Sequence, residues 1–444
     1  METQGRPERG PAATIPAGAW YALAILLLAN AINYLDRMIV ALLIEPIRES
    51  FQLTDTQIGL LIGATFAFVF TLASLPVGRI VDQYDRRRVI AIGCAIWSTA
   101  AVALGFARSF GHLLVARMGV AIGEAALTPS AISLISDLFP KRAMGRAMAI
   151  FGIGGVAGAG FAYLAGAAIL ALVNSSPAIT LPLYGQVASW QATLIFTGLI
   201  SFIVVALIFT FPEPARKGVV ARQEVSTRST LKFLRRHWTY FVPHFLGFAL
   251  LQMFVYSLTS WIPAFLTRAY AMPPEEIGIV YGAMWLVLGV AGALAGGVMA
   301  DLLSARGKDR GAIWLIVAVS LVLWPLATLY PLVESRGLSL VLIAAMTFAT
   351  CIPVGLSNLL LQQVTPNQMR GQMVAITTFA VNLIAFGVGP TGVGILSDAL
   401  GGGLEGLRWA LAAVASICCP AAALIFVFAG KGFGPLRRQA EHWQ

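Results

Sequence analysis

Twelve long apolar runs, separated by short polar punctuation, follow one another along the chain. They predict helices over 18–45, 56–81, 89–107, 111–138, 143–173, 188–211, 239–266, 276–303, 311–332, 337–364, 370–399 and 406–430, numbered 1 to 12 below. A hydrocarbon core about 30 Å thick needs roughly 20 apolar residues per helical crossing, and these runs match that length. They are too long for the strands of a membrane barrel and lack their period-two alternation. The first run exceeds the apolar stretch of a cleaved leader and has no small-residue cleavage pattern behind it, so it is expected to stay as a helix. The longest polar stretch, 212–238, divides six runs from six. The predicted organisation is a tail (1–17), a six-helix bundle (18–211), a basic linker (212–238), a second six-helix bundle (239–430) and a tail (431–444), an all-α membrane fold with a cavity between the bundles.

Composition sharpens the class. Of 444 residues 58% are hydrophobic and 11% charged, with mean hydropathy +0.81. Soluble domains carry about 25% charged residues, so a cytosolic enzyme, a nucleic-acid binder and a disordered chain are excluded. The net charge of +10 finds its explanation in placement. Of the 30 Lys and Arg, only Arg48, Arg108, Arg268, Arg336 and Arg408 fall in one set of connections, and Arg37 and Arg117 lie inside helices. The others sit in the opposite set, with the tails and the linker. Positive loops stay inside, which places both termini in the cytoplasm of a plasma (inner) membrane protein, with membrane lipids as neighbours and no nucleic-acid partner. Cys94, Cys351, Cys418 and Cys419 all lie in apolar runs without metal-ligand spacing, and the four histidines form no cluster. With no metal site, nucleophile constellation or ATP-binding motif in view, neither an enzyme nor a bound cofactor is expected.

The second half repeats landmarks of the first. Gly78-Arg79-Ile80-Val81-Asp82 after helix 2 is echoed by Gly297-Val298-Met299-Ala300-Asp301 after helix 8, each followed by a basic turn. Pro140-Lys141-Arg142-Ala143-Met144-Gly145 before helix 5 is echoed by Pro366-Asn367-Gln368-Met369-Arg370-Gly371 before helix 11. Such internal duplication is the architecture of secondary transporters, with the substrate path between the halves. The segment from Gly78 to Arg88 resembles the signature loop of the major facilitator superfamily, G-x-x-x-D-(R/K)-x-G-R-(R/K), with Gln83 in place of the first base and Asp85 in place of the second glycine. The resemblance carries a latch role to Gly78, Asp82, Arg86 and Arg87, and the repeat extends it to Gly297 and Asp301. Asp82 is expected to cap the N-terminus of a neighbouring helix, whose dipole favours an anion, with the arginines after it solvated in the loop.

Helix 1 reads Asn30-Ala31-Ile32-Asn33-Tyr34-Leu35-Asp36-Arg37, and helix 4 reads Arg117-Met118-Gly119-Val120-Ala121-Ile122-Gly123-Glu124-Ala125. This pair is similar to the Spinster family of lipid transporters and, less closely, to organic-anion symporters of the same superfamily. Gly389-Pro390 resembles an element of superfamily drug antiporters but sits on helix 11 rather than helix 5.

Asp36, Arg37, Arg117 and Glu124 are the charges well inside predicted helices, all in the first half. Each costs roughly 2.5–3.5 kcal/mol at the bilayer centre and so needs a partner or a task. At 1.5 Å per residue Asp36 lies roughly 24 Å above the cytoplasmic end, Arg117 roughly 9 Å and Glu124 roughly 20 Å below the outer end. Arg117 and Glu124, two turns apart, share a face. The expected roles are Asp36 and Glu124 as proton carriers with Arg117 switching between them, the proton being the coupling ion; the alternative is a structural ion pair holding helices 1 and 4 together. Arg37 suits an anionic substrate head.

Asn30 and Asn33 share a face with Arg37 and, with Tyr34 and Asn382 of helix 11, are candidate cavity lining. Trp261, near a helix end, reads as interfacial belt. One charged half facing one apolar half fits an amphiphile with an anionic head and an acyl tail. The expected function is proton-coupled transport of a lysophospholipid- or sphingolipid-like molecule by a monomer, through alternating access. Organic-anion symport and multidrug efflux are the alternatives.

Overall fold

The structure, a computed structural model, describes residues 16–176, 180–181, 185–216, 227–307 and 310–440. Much of both tails and the middle of the linker therefore lie outside the described residues. Among the described residues twelve helices are long and apolar enough to cross a membrane. They are helices 1 to 6, Ala17–Leu42, Asp55–Gln83, Arg86–Gly105, Phe110–Leu138, Arg142–Ser175 and Ser189–Thr210, then helices 7 to 12, Trp238–Tyr270, Pro274–Ala305, Gly311–Leu329, Arg336–Gln363, Arg370–Ala399 and Gly403–Ala440.

Every boundary but the last falls within four residues of the sequence expectation. Helix 1 stops at Leu42, and after Leu43 a short helix, Ile44–Phe51, turns away and ends at the left-handed Gln52. Helix 12 runs ten residues into the predicted tail, to Ala440, because Phe433 and Leu436 are buried against the second bundle and extend its core.

Local chemistry sets the interruptions. Ser109, Ser335 and Asp85 cap helices 4, 10 and 3 by accepting the backbone N–H of His112, Leu338 and Arg88. Helix 4 breaks at Ala125–Ala126, directly after Glu124, where Pro129 has no N–H for the Ala125 carbonyl. Its counterpart, helix 10, breaks at 352–355, around Pro353. Wider π-helical turns occupy Leu60–Ala64 in helix 2, Trp285–Gly289 in helix 8 and Val381–Val388 in helix 11.

Helices 1 to 6 pack into one bundle and 7 to 12 into another. The bundles meet mainly on the side away from the linker, the far side. There helix 5 crosses helix 8 so closely that a Cβ on Gly282 would lie 2.9 Å from the Gly160 carbonyl oxygen. A Cβ on Gly394 of helix 11 would lie 2.2 Å from the Asp55 carbonyl oxygen at the start of helix 2. Only glycine permits these approaches. Tyr163 donates to the Thr259 carbonyl at 2.6 Å across the same interface. On the linker side Gly78, Gly145, Gly152, Gly297 and Gly371 face open space. The two-bundle assembly is thus closed on the far side and open toward the linker.

Candidate functional site

Asp36 and Arg37 are consecutive on helix 1 and point about 100° apart, so they serve different neighbours. Asp36 faces helices 3 and 6, where its Oδ2 accepts the Ser201 hydroxyl at 2.9 Å. Arg37 faces helix 4, and its Nε donates to Glu124 Oε2 at 2.6 Å. Arg117 Nη1 reaches the Asp36 main-chain carbonyl at 3.5 Å, and no carboxylate lies within 4.0 Å of it among the described residues. The four charges expected from sequence are brought together, but with pairing different from the expected one: Arg37, not Arg117, holds Glu124. Side-chain direction explains this. Helical side chains lean toward their own N-terminus. Arg117 therefore leans to the far side, away from Glu124, whereas Arg37, on a helix running the other way, leans down onto it.

An aromatic wall surrounds the arginines. The Arg37 guanidinium carbon lies 4.9, 5.4 and 5.8 Å from the ring centres of Phe66, Phe70 and Phe386, and that of Arg117 lies 4.6 Å from Phe66. Tyr256 packs edge-on against Phe386 at 4.7 Å. The Arg37 side chain is 16% exposed and that of Glu124 is fully covered, so Arg37 stands between the opening and the acid. Asp36 Oδ1, Glu124 Oε1 and Arg117 Nε are buried without a hydrogen-bonding partner among the described residues. The cluster holds two acids and two bases and leaves acceptor capacity on both acids.

The other lining candidates divide. Asn30 and Asn33 are buried, and Asn33 Nδ2 lacks a partner. Tyr34 lies over Gly155 and Gly158 of helix 5. Asn382 is half-buried in the π-helical stretch of helix 11. Trp261 is wholly buried and donates to the Pro390 carbonyl at 2.8 Å, which corrects its reading as interfacial belt: it ties helix 7 to helix 11.

The latch residues also divide. Gly78, Asp82, Gly297 and Asp301 face the open linker side, with Asp82 and Asp301 exposed, and among the described residues Asp82 caps no neighbouring helix. Arg86 overturns the expectation of a solvated loop: it is fully buried, paired with Asp137, donating to Glu213 at 2.6 Å and to the Pro214 carbonyl at 2.8 Å. Arg87 donates to the Phe211 carbonyl at 2.7 Å. Carboxylates distant in sequence draw both arginines in and staple the loop to the segment after helix 6. At Asp85 burial pushes the carboxyl up, but bonds from Arg87 and the Arg88 backbone outweigh it and hold it below the usual range.

A second charged cluster, not expected from sequence, seals the far side between the bundles. Arg268, at the end of helix 7, grips Asp55 with two nitrogens at 2.7 and 2.8 Å, Glu45 at 2.7 Å and the Gly403 carbonyl at 3.0 Å. Ser397 donates to Asp55 at 2.6 Å. Asp398 accepts the backbone N–H groups of Asp55 and Thr56 at 3.1 and 2.8 Å. Burial pushes the Glu45 carboxyl above its ordinary value despite Arg268 and Arg48. The sequence signal was weak: these residues are loop charges, and their partners lie in opposite halves.

Residues 26–390 match the Major Facilitator Superfamily. An MFS-type efflux pump of Mycolicibacterium smegmatis is 31% identical over 397 residues, covering 87% of this chain and 86% of that one. Protein spinster of Drosophila melanogaster is 24% identical over 313 residues, 67% of this chain and 49% of the fly protein. Protein spinster homolog 3 of Homo sapiens is 27% identical over 367 residues, 78% of this chain and 67% of the human one. Among solved structures, a bacterial homologue of the human lysosomal transporter Spinster, inward-facing and unoccupied, superposes with TM-score 0.80 at 25% identity, covering 96% of this chain and 98% of that one. A D-xylose–proton symporter shares the fold at TM-score 0.71 and 15% identity, covering 93% and 99%.

Proposed function

The chain belongs to the Major Facilitator Superfamily, a Spinster-like membrane transporter and not an enzyme, and on that premise we propose that it moves an amphiphile with a charged head, coupled to protons, by alternating access. The observation that carries this reading is the Arg37–Glu124 pair: a partly exposed guanidinium at the edge of the opening, bonded to a covered carboxylate that keeps one oxygen free. An anionic head competing for Arg37 releases Glu124 to take a proton, which links substrate to coupling ion. Asp36, facing helices 3 and 6, is the second proton carrier, and Arg117 spans both acids' surroundings from helix 4. Phe66, Phe70, Phe386 and Tyr256 supply apolar surface for a hydrocarbon tail. Asn30, Asn33, Tyr34 and Asn382 contribute polar lining. Gly78, Asp82, Arg86, Arg87, Gly297 and Asp301 latch the linker side when it closes. The Lys/Arg placement puts that side in the cytoplasm, the unit is the monomer, and no cofactor beyond the proton takes part.

The test is flux in reconstituted vesicles under an imposed pH gradient, comparing a lysophospholipid with a small dicarboxylate. Gradient-driven movement of the lysophospholipid, abolished in Asp36→Asn, is expected; movement of the dicarboxylate alone overturns the substrate assignment. The likeness to the Mycolicibacterium efflux pump supports a second reading, drug export, and a hydrophobic dye in the same vesicles distinguishes it.

A further inference from the structure

Resting on the proton-coupled reading, we infer that Ser201 is a positioning residue that sets the proton affinity of Asp36 by satisfying the carboxyl in both of its protonation states. The Ser201 oxygen lies 2.9 Å from Asp36 Oδ2 and 3.0 Å from the Thr197 carbonyl one turn back on helix 6. Serine has a single hydroxyl hydrogen and two lone pairs, so it serves one acceptor at a time. With Asp36 ionised, that hydrogen points to Oδ2 as a charge-assisted bond. With Asp36 protonated, the acid donates to the Ser201 oxygen, and the serine hydrogen turns to the Thr197 carbonyl. One rotation about the Cβ–Oγ bond exchanges the two arrangements, and neither leaves the Asp36 Oδ2 or the hydroxyl without a partner.

The Trp97 indole N–H of helix 3 also stands beside the carboxyl, but it can only donate and so serves the ionised form alone. Asp36 and Ser201 are both buried. From helix 3 the pocket receives Cys94 and Trp97, and from helix 4 Arg117, with Glu124 further along the same helix. The Arg117 contact is to the main chain of Asp36, and its carboxyl Oδ1 has no partner. Helix 6 brings no charged or titratable side chain to the pocket, and Arg37 of helix 1 points the other way, to Glu124. Among the described residues the hydroxyl of Ser201 is thus the group on the Asp36 carboxyl that can both donate and accept, and it anchors that carboxyl to helix 6.

The test is infrared difference spectroscopy of the full-length protein across pH, with the protonated-carboxyl band of Asp36 assigned by its loss in Asp36→Asn. Losing a donor to the ionised form moves the pH at which the band vanishes upward in Ser201→Ala, by about one unit. Ser201→Thr, which keeps the hydroxyl, leaves the midpoint near wild type. The pH profile of vesicle flux shifts in step. An unmoved midpoint in Ser201→Ala, an equal shift in Ser201→Thr, or no band lost in Asp36→Asn each overturns the inference. Gradient-driven flux persisting in Asp36→Asn removes the coupling reading instead, and leaves the infrared titration as an independent measure of Ser201.

Discussion

Two arginine–carboxylate clusters sit in this molecule, built from the same side chains and arranged to opposite ends. On the far side Arg268 is saturated: both oxygens of Asp55 and one of Glu45 accept from it, Ser397 adds a donor, and Asp398 holds backbone amides of the opposite bundle. In the middle of the first bundle, among the described residues, Asp36 and Glu124 each keep one oxygen without a hydrogen-bonding partner, and Arg117 has no carboxylate within 4.0 Å. A satisfied buried ion cluster resists rearrangement, whereas a half-satisfied one is responsive, because any proton or donor that arrives has something to bind. The contrast separates a clamp that joins the halves from the cluster to which the proposed function assigns substrate and proton.

The largest effect is expected from breaking the clamp. Removing one partner of a buried ion cluster costs about 3 kcal/mol. Arg268→Ala should therefore shift the population away from the linker-open form by about a hundredfold, read as a distance change between spin labels at the exposed far-side positions Glu49 and Leu400. No change in that distance distribution would reduce the cluster to surface decoration. Next comes Glu124→Gln, which should fold and bind yet lose gradient-driven flux on the order of a hundredfold, the lower end of what a positioned proton-transfer group contributes; unaltered flux would make the central cluster as structural as the outer one. The smallest effect on stability belongs to Asp82→Asn. As an exposed side chain it should change melting by less than about 0.5 kcal/mol while transport slows, since under the proposed latch role Asp82 acts only when the linker side closes. Equal loss of stability and flux would remove the latch role.

The contrast also marks what a sequence can and cannot reveal. The twelve spans were legible because a hydrocarbon core demands apolar length, and the four central charges because their cost makes them conspicuous. Their pairing was not legible: whether Arg37 or Arg117 meets Glu124 depends on the direction in which each side chain leans on antiparallel helices. The burial of Arg86 depends on Asp137 and Glu213, remote in sequence, and the far-side clamp joins Asp55 to Arg268 and Asp398 across the two halves. Helix 12 outran its predicted end because its last apolar residues find a surface to cover, which only the tertiary packing supplies.

The π-helical turns in helices 2, 8 and 11 have a mechanical corollary. Each stores slack: a turn wound with i→i+5 bonds that reverts to α geometry carries the remaining segment round by about 100° and along by about 1.5 Å without unfolding it. All three lie in helices that border the seam where the bundles touch, so the proposed alternating access would find reserve length already wound into the helices along it.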